Sequence, residues 1–258
     1  MVGSSTPVVS VERRGAILII AINRPERRNA VNRAVSLAMV DALDELAADP
    51  TLQVAIITGS GGTFCSGMDL KAFVDGERPE IEERGFAGIC ECIVEKPVIA
   101  AVEGYALAGG FELALACDLI VAADNATFGL PEAARGLVAG SGGLLRLGRR
   151  IPPGIALEFA LTAAPIPADV AQQWGLVNRL VPAGTALDAA IALAEQIAAN
   201  APLSIAMSKR LMRESRLWSE DEMFDRQRPL SESVINSEDA KEGAQAFAEK
   251  RAPQWRGK

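Results

Sequence analysis

Two glutamates occupy positions where helices are expected to begin. In the apolar run GYALAGGFELALACDLIVA, Glu112 comes two residues after Gly110, and in FGLPEAARG Glu132 comes directly after Pro131. An ionised carboxylate in dry apolar surroundings costs several kcal/mol, whereas the dipole at a helix N-terminus returns only about 0.3 to 2 kcal/mol. Glu112 must therefore meet water, a partner or a proton, which makes the two glutamates candidates for general acid–base chemistry.

Each glutamate also has a purely structural interpretation. Glu112 in a capping box would accept a hydrogen bond from the backbone amide of Gly109. A proline at the first helical position with Glu132 next is an ordinary helix start. Taken one at a time, the two positions leave both interpretations open.

Glycine-rich loops follow two of the expected strands. VAIITGSGGTFCSGMDL has neither GxGxxG nor GxxxxGK[ST] spacing, so it fits no nucleotide fingerprint. Gly67 is interpreted as a turn residue with positive φ, and Asp69 as the cap of a short helix that begins near Leu70. If Met68 and Gly109 each point a backbone N–H at one spot, they form a donor pair for an oxygen that gains negative charge during reaction.

The residue inventory excludes several kinds of chemistry. The 258 residues include no histidine, so Ser-His-Asp catalysis, Cys-His catalysis and the usual zinc sites are excluded, and no metal site is expected. Acid and base roles must then fall to carboxylates, Lys, Tyr or Cys. The four cysteines stand singly in apolar surroundings, which is typical of reduced thiols in the cytosol; they are Cys65, Cys90, Cys92 and Cys117.

Charge and hydropathy narrow the expected partners. A formal net charge of −7 repels a phosphate backbone, so nucleic acid is not expected as a partner. RPERR at 24–28, the densest basic patch, is interpreted as a solvated loop or a small phosphate site. No apolar stretch has the length of a membrane span without charge or glycine, and MVGSSTPVVS lacks the features of a signal peptide. We therefore expect a cytoplasmic protein without membrane contact.

The apolar pattern predicts an α/β fold. AILIIAIN, VAIITG, KPVIAAVEG and DLIVAAD are β-rich runs, and NRAVSLAMVDALDELAADP between the first two has helical spacing and stops at Pro50. The last third predicts three helices, separated by Pro182, Pro202 and a polar stretch around Ser231. RRIPPG at 149–154 predicts the turn between a sheet-containing core and those helices. GSGG, just before it, is interpreted as a tight turn at the start of another helix.

Together these segments resemble the crotonase superfamily, which includes the enoyl-CoA hydratases and isomerases. The resemblance runs nearly end to end and is carried by INRPERRNAVN, FCSGMDL, KPVIAAVEGYALAGGFELALACDLIVAADNATFGLPEAARGL, GSGGLLRL, AQQWGLVNRLVP and AFAEKRAPQW. It implies the crotonase (ClpP-like) fold, with repeated ββα units in a twisted sheet core over residues 1–195. Residues 196–258 would form a C-terminal helical region, through which the family assembles as trimers that often pair into hexamers.

The resemblance implies an enoyl-CoA hydratase of fatty-acid metabolism, a carbon–oxygen lyase that adds water to a 2-enoyl-CoA thioester. The two amides that hold the thioester oxygen in this family match Met68 and Gly109. The two hydratase acids match Glu112, as base toward water, and Glu132, as proton donor. The substrate-binding positions match Arg28, Ala30, Ser66, Asp69, Gly140, Phe247 and Lys250, of which the last two lie on a helix that often comes from a neighbouring subunit. No cofactor is implied beyond the coenzyme A of the substrate.

The sequence departs from the family pattern at a few positions. The usual third glycine of the GGG run is Ala108, and the proline common before Gly140 is Ala139, but neither change removes a donor or an acid. Met68 stands where a smaller residue is common, so acyl chain length is left open. The alternatives are isomerisation of an enoyl-CoA, a carnitinyl-CoA-type dehydration, or a non-catalytic member that binds acyl-CoA or RNA. A dinucleotide oxidoreductase is disfavoured by the missing fingerprint.

Overall fold

Two sheets form the centre of the molecule. The structure is a computed structural model that describes residues 6–258. Residues 1–5, the first half of the MVGSSTPVVS segment considered above for a signal peptide, lie outside the described residues. The strands are β1 Val9–Arg14, β2 Ile17–Ile22, β3 Val54–Gly59, β4 Val98–Val102, β5 Tyr105–Leu107, β6 Leu119–Ala123, β7 Thr127–Gly129, β8 Ile166–Pro167 and β9 Arg179–Val181. Six of them form a sheet in the order β1-β2-β3-β4-β6-β9, and three form a second sheet in the order β5-β7-β8. In the large sheet only the β1–β2 pairing is antiparallel.

Helices surround the sheets and extend beyond them at the C-terminal end. They are α1 Arg33–Ala48, α2 Leu70–Val74, α3 Gly109–Ala116, α4 Gly143–Arg150, α5 Pro153–Thr162, α6 Ala168–Gln173, α7 Ala186–Ala198, α8 Pro202–Glu214, α9 Met223–Ile235 and α10 Glu238–Glu249. Short 3-10 turns add Pro25–Arg27, Phe86–Gly88, Pro131–Arg135 and Ser215–Leu217. The expected strands and the helices expected before Pro50 and in the last third are thereby confirmed as elements of an α/β fold.

The inner strands β2, β3, β4 and β6 of the large sheet are buried on both faces because they carry apolar side chains in both directions. In β2, Leu18 and Ile20 belong to the cluster that α1 covers, whereas Ile17 and Ile19 belong to the cluster that α7 covers. A parallel sheet covered on both faces needs such continuous apolar runs, which explains AILIIAIN and VAIITG. The carboxyl ends of these strands lead into the loops that carry the expected site residues.

Two expectations about the second half of the chain are wrong. Ser231, expected in a polar separator, lies inside α9, which continues through an internal proline, Pro229, and has no buried residue. RRIPPG joins α4 to α5 but does not separate sheet from helices, because the three-residue strand β9 returns to the large sheet after it. The expected boundary after residue 195 falls inside α7, which packs on the sheet; the division into two regions stays a prediction.

Within residues 6–258, no single helix is both long and apolar enough to cross a bilayer. The pair formed by Ala186–Ala198 and Pro202–Leu217, bent by 106° at its junction, reaches that length and composition only when taken together.

Candidate active site

The loop after β3 lies directly against the start of α3. A Cβ built on Gly67 would lie 3.0 Å from the carbonyl oxygen of Leu107 and 3.2 Å from Gly109 N. A Cβ built on Gly110 would overlap the carbonyl oxygen of Cys65. Gly67 also has a φ of +100°, a conformation that residues with a side chain rarely adopt. Glycine at these positions therefore permits the two backbones to approach closely.

Among residues 6–258, no hydrogen-bond acceptor meets the backbone N–H groups of Met68 and Gly109. Val31 pairs with the residues on either side of Met68: Val31 N donates to Gly67 O at 2.8 Å, and Asp69 N donates to Val31 O at 2.9 Å. The N–H group of Met68 takes no part in this pairing. Gly109 is the first residue of α3, where the helix itself offers no acceptor. No backbone bond within the described residues uses either amide. Both are therefore available to a ligand oxygen beside the 66–68 loop.

The segment 28–31 runs along the same loop. Ser66 N donates to Arg28 O at 3.1 Å, next to the bridge between Val31 and Met68. The Arg28 side chain is exposed, whereas Ala30 is buried. The positions expected to meet coenzyme A at Arg28, Ala30 and Ser66 are thus brought together at the edge of the Met68 loop.

Asp69 is engaged by the protein itself. Its Oδ1 accepts from Lys71 N at 3.2 Å and from Ala72 N at 3.3 Å, which confirms Asp69 as the cap of α2. Its Oδ2 accepts from Arg24 Nη2 at 2.8 Å, and Arg24 Nη1 donates to Ala30 O. Burial raises the pKa of Asp69, but these hydrogen bonds outweigh burial and leave the pKa below its ordinary value. Contact of Asp69 with substrate stays a prediction.

Glu112 is held by the loop before α4 and not by its own helix. Its Oε1 accepts from Ser141 N at 2.7 Å and from Gly143 N at 2.9 Å, and the residue is 4% exposed. The capping-box interpretation, with Gly109 as donor, is wrong, because α3 has no side-chain cap. The physical reason is that α4 begins after Gly142, which has no side chain to cap it, so the carboxylate of Glu112 supplies the acceptor from another helix.

The loop amides offset part of the cost of burying the Glu112 charge. Burial raises the pKa of Glu112 above its ordinary value, and hydrogen bonds from Gly143 and Ser141 and the charge of Arg146 offset only part of that rise. A hydrogen bond to a charged group contributes about 1.5 to 3 kcal/mol. Both amides use Oε1, and within residues 6–258 no hydrogen bond occupies Oε2. The second oxygen is therefore free to accept from a water molecule.

Glu132 is also buried but lacks the hydrogen-bond donors that hold Glu112. It lies in the first turn of the Pro131–Arg135 3-10 helix and is 9% exposed, and its buried Oε2 has no hydrogen-bond partner within the described residues. Burial raises the pKa of Glu132, its own backbone amide lowers it, and the charge of Glu112 raises it. A buried carboxyl oxygen without a donor favours the protonated form. Such orphaned atoms are rare in folded proteins and point to a functional reason.

The two glutamates are therefore suited to different roles. Burial raises the pKa of both carboxyls, but two loop amides offset part of the rise at Glu112, whereas the negative charge of Glu112 adds to the rise at Glu132. A base and an acid that act on neighbouring atoms need surroundings that make their pKa values differ. Because the two carboxyls interact, their titration belongs to the pair.

An apolar cavity opens beside Glu132. Its volume is about 380 Å³, within the range of small-molecule sites, and every lining residue other than Glu132 is apolar and non-aromatic. Met68, Gly109 and Glu112 do not line it, so it adjoins the site on the Glu132 side alone. Its lining includes five large exposed apolar side chains, those of Leu137, Val138, Leu144, Leu157 and Leu161.

Of the remaining expected substrate-binding positions, one lies in the loop that holds Glu112 and two lie at the end of α10. Gly140 directly precedes Ser141, in the loop that holds Glu112. Phe247 and Lys250 are exposed at the end of α10, and within residues 6–258 no hydrogen bond or ion pair joins them to that loop. Their contact with substrate stays a prediction. The described residues contain no group of three or more His, Cys, Asp or Glu side chains placed to hold a metal ion.

Sequence reasoning missed the residues that support the two loops. The GSGG segment was interpreted only as a turn, although a glycine-rich helix start without a capping side chain signals an anion, here the carboxylate of Glu112. Arg24, the first residue of RPERR, is neither solvated nor open to phosphate, since its side chain is 13% exposed and paired with Asp69. No sequence signal identifies that pairing, because the two residues are 45 positions apart.

The sequence and the structure are both similar to those of known proteins. The sequence model described as Enoyl-CoA hydratase/isomerase matches residues 12–258. The structure of an enoyl-CoA hydratase from Mycobacterium tuberculosis H37Rv is 60% identical, with a TM-score of 0.96 over 98% of this chain and 100% of that chain. A carnitinyl-CoA hydratase from Mycobacterium avium is 48% identical, with a TM-score of 0.79 over 98% of this chain and 100% of that chain. The carnitinyl-CoA dehydratase of Proteus mirabilis is 46% identical over 95% of this chain and 97% of its own length.

These likenesses confirm the expected fold and the expected family. The match to the Mycobacterium tuberculosis structure covers both sheets and the helices around them, since it extends over nearly the whole chain. The relatives are named as hydratases and dehydratases, which are enzymes of one reaction type run in opposite directions. On the extent of the family match and the identity to these relatives, the chain belongs to the enoyl-CoA hydratase/isomerase family of the crotonase superfamily.

Proposed function

We propose that this protein is an enoyl-CoA hydratase that adds water reversibly across the double bond of a 2-enoyl-CoA thioester. The observation that carries the proposal is the presence of two backbone donors without acceptors, at Met68 and Gly109, together with two buried glutamates in contrasting surroundings. The names of the relatives support the same reaction type. We propose no metal and no cofactor apart from the coenzyme A of the substrate.

The proposed reaction follows from these residue types. Glu112 takes a proton from water as the water oxygen bonds to Cβ, and the electron pair of the double bond moves to the thioester oxygen. The N–H groups of Met68 and Gly109 stabilise that enolate oxygen. Glu132 then gives its proton to Cα. Transfer of one proton from Glu112 to Glu132, directly or through water, restores the starting state, and the net change is the addition of one water molecule.

Coenzyme A is proposed to lie along the segment 28–31 and the Met68 loop. The hydrogen bond from Ser66 to Arg28 supports this placement, because it aligns the expected coenzyme A positions beside the oxyanion donors. Asp69 would complete this edge through its ion pair with Arg24. Gly140 would lie near Cα and the attacking water, one residue before the amide that binds Glu112.

A second candidate is dehydration of carnitinyl-CoA, for which several relatives are named. That substrate differs in its acyl group, which carries a quaternary ammonium. Aromatic rings are the usual partners of such a cation. The cavity beside Glu132 has no aromatic lining residue. We therefore favour an uncharged acyl group over the trimethylammonium group.

The test uses purified protein and a panel of 2-enoyl-CoA thioesters that includes crotonyl-CoA and its 4-trimethylammonio derivative. Loss of the conjugated thioester absorbance, with product mass increased by one water, is the expected result on uncharged substrates. Turnover of the trimethylammonio thioester alone would favour the second candidate. A shifted double bond with unchanged mass would indicate an isomerase. A folded protein that turns over none of the panel would contradict the proposal.

We also propose that the protein assembles with copies of itself as a trimer or a pair of trimers in the cytoplasm. α8 and α9 have no buried residue, and Met212, Leu217 and Phe224 in this region are exposed apolar side chains. Exposed apolar surface of this kind marks protein interfaces. The four cysteines are free, which agrees with a reducing compartment. Sedimentation equilibrium that gave a monomer at micromolar concentration would contradict the assembly.

A further inference from the structure

Arg146 joins the loop that holds Glu112 to a distant segment of the chain. It lies in the first turn of α4, where its Nη1 donates to Ser141 O at 3.2 Å and its Nη2 donates to Cys90 O at 2.5 Å. Ser141 is the residue whose amide binds the Glu112 carboxylate. One guanidinium therefore connects the glutamate-binding loop to residues 56 positions earlier in the chain.

The surroundings of Arg146 are shaped for its side chain. A Cβ built on Gly142 would overlap Arg146 Nη1, and Gly142 has a φ of +93°, so only glycine lets the guanidinium lie over the loop. On the other side, the segment that ends at Cys90 also carries Phe86, whose ring would meet a Cβ on Gly109 at 2.6 Å. Arg146 thus connects the loop that holds Glu112 to the segment packed against the oxyanion glycine.

Arg146 also supplies the positive charge near Glu112. The titratable groups that face Glu112 are Arg146 from α4, Glu132 from the 3-10 helix and the thiol of Cys90. Burial keeps the pKa of Cys90 well above its ordinary value, so that thiol is neutral in the range where glutamates titrate. The bonding nitrogens of Arg146 donate to carbonyl oxygens and not to a carboxylate, so its charge is not neutralised by these bonds.

We propose that Arg146 is a positioning residue for Glu112: it closes the 141–143 loop against Cys90, so that two amides hold the carboxylate, and it places a positive charge beside that carboxylate. The inference rests on the proposed function, in which Glu112 is the base. The proposed role of Arg146 has two parts that can be tested separately: the pair of hydrogen bonds from its guanidinium to Ser141 O and Cys90 O, and its positive charge. Lysine keeps the charge without the planar fork, and glutamine removes the charge, so the two variants separate the parts.

The kinetic test compares pH profiles of kcat/KM for Arg146→Gln and Arg146→Lys. In Arg146→Gln, the acid limb is expected at higher pH than in the wild type, because loss of the positive charge raises the pKa of Glu112. Arg146→Lys is expected to keep the acid limb near its wild-type position while kcat on the plateau falls by up to about 100-fold, because the loop is held less well. KM changes little, since Arg146 contacts the loop and not the substrate.

Arg150 provides a matched control one turn later in the same helix. Its Nη2 donates to the carbonyl oxygens of Leu115 and Cys117, so Arg150→Gln removes a similar set of bonds at the end of α4 distant from Glu112. The acid limb of Arg150→Gln should coincide with that of the wild type. The inference is overturned if Arg146→Gln leaves the limb in place, if Arg150→Gln moves it equally, or if Arg146→Lys moves it as far as Arg146→Gln.

A spectroscopic titration tests the inference without turnover. The infrared band of the protonated Glu112 carboxyl, assigned by its loss in Glu112→Gln, should appear at higher pH in Arg146→Gln than in the wild type. If the wild type lacks hydratase activity, the proposed function fails while this titration still decides the role of Arg146. If Arg146→Gln does not fold, the titration of Arg146→Lys decides: a band at the wild-type pH supports the charge effect, and a band displaced to higher pH contradicts it.

Discussion

Glu112 caps a helix to which it does not belong, because its Oε1 accepts a hydrogen bond from Gly143 N, the first residue of α4, at 2.9 Å. The helix start and the candidate base therefore depend on one another. A free N-terminal amide obtains an acceptor, and a buried carboxylate obtains a donor. The orientation of Glu112 is consequently set by the backbone of the 141–143 loop as well as by its own helix.

Gly143→Ala tests this dependence directly. The new Cβ would lie 2.8 Å from Glu112 Cγ and 3.1 Å from its Oε1, so the carboxylate must move. A displacement of about 1 Å is expected to lower kcat by roughly 100-fold, measured with the best substrate of the panel. Gly154→Ala in α5 is the matched control, because its Cβ meets nothing within 4 Å. Equal kinetics in Gly143→Ala and the wild type would show that the capping contact does not position Glu112.

Glu112→Gln should reduce activity and change how the free energy of unfolding depends on pH. The amide cannot accept a proton from water, so kcat is expected to fall by about 100-fold or more. The two loop amides then donate to a neutral oxygen, but burial outweighs these bonds and raises the pKa of Glu112, so its charge costs stability above the ordinary pKa and the glutamine variant should gain stability relative to the wild type as pH rises. Chemical denaturation monitored by circular dichroism measures the second effect. Full activity in a folded Glu112→Gln protein would remove this residue from the mechanism.

Glu132→Gln should reduce activity but affect stability in a pH-dependent way. Because burial raises the pKa of Glu132 in the folded state, its neutral form contributes stability fully below the ordinary pKa, and the contribution is lost as pH rises through the folded pKa. Glutamine does not titrate, so the variant should gain stability relative to the wild type as pH rises. Thermal unfolding of both proteins from acidic to alkaline pH measures the difference, and a constant difference would contradict a buried, neutral Glu132.

The sequence indicated the candidate donors and acids more readily than the residues that hold them. Met68, Gly109, Glu112 and Glu132 could be named as candidates because glycine loops and acids at helix starts leave local patterns, and the family resemblance gave them their expected roles. The donors to Glu112 come from a loop 29 and 31 residues away, and no local pattern records such a contact. The helix α9 was missed for another reason, since it carries Pro229 among polar residues, a pattern that normally indicates the end of a helix.

Gly67→Ala should reduce turnover by displacing an oxyanion donor. The added methyl would lie 3.2 Å from Gly109 N and 3.0 Å from Leu107 O, so the two loops must separate. Loss of one such donor costs about 100- to 1,000-fold in kcat. Gly62→Ala is the matched control, because Gly62 also has a positive φ, of +75°, but its Cβ would meet nothing within 4 Å. If both variants lose activity equally, backbone strain and not crowding at Gly109 is responsible.

Ala108→Gly should stabilise the protein without harming the site. Ala108 has φ +51° and ψ −128°, a combination in which residues with a Cβ are strained by about 1 to 3 kcal/mol. Glycine relieves that strain but adds about 0.4 to 1 kcal/mol of unfolded-chain entropy, so a net gain of about 1 kcal/mol is expected as a higher Tm. Ala163, with φ +54° and ψ +22°, occupies the milder left-handed helical region, so Ala163→Gly should gain less. The hydrogen bond from Ala108 N to Gly129 O, at 2.9 Å, uses only backbone atoms and should be kept in Ala108→Gly. The Gly109 amide then keeps its direction, and kcat should be retained. A lower Tm for Ala108→Gly, or an equal gain from Ala163→Gly, would show that the unusual ψ of Ala108 stores no strain.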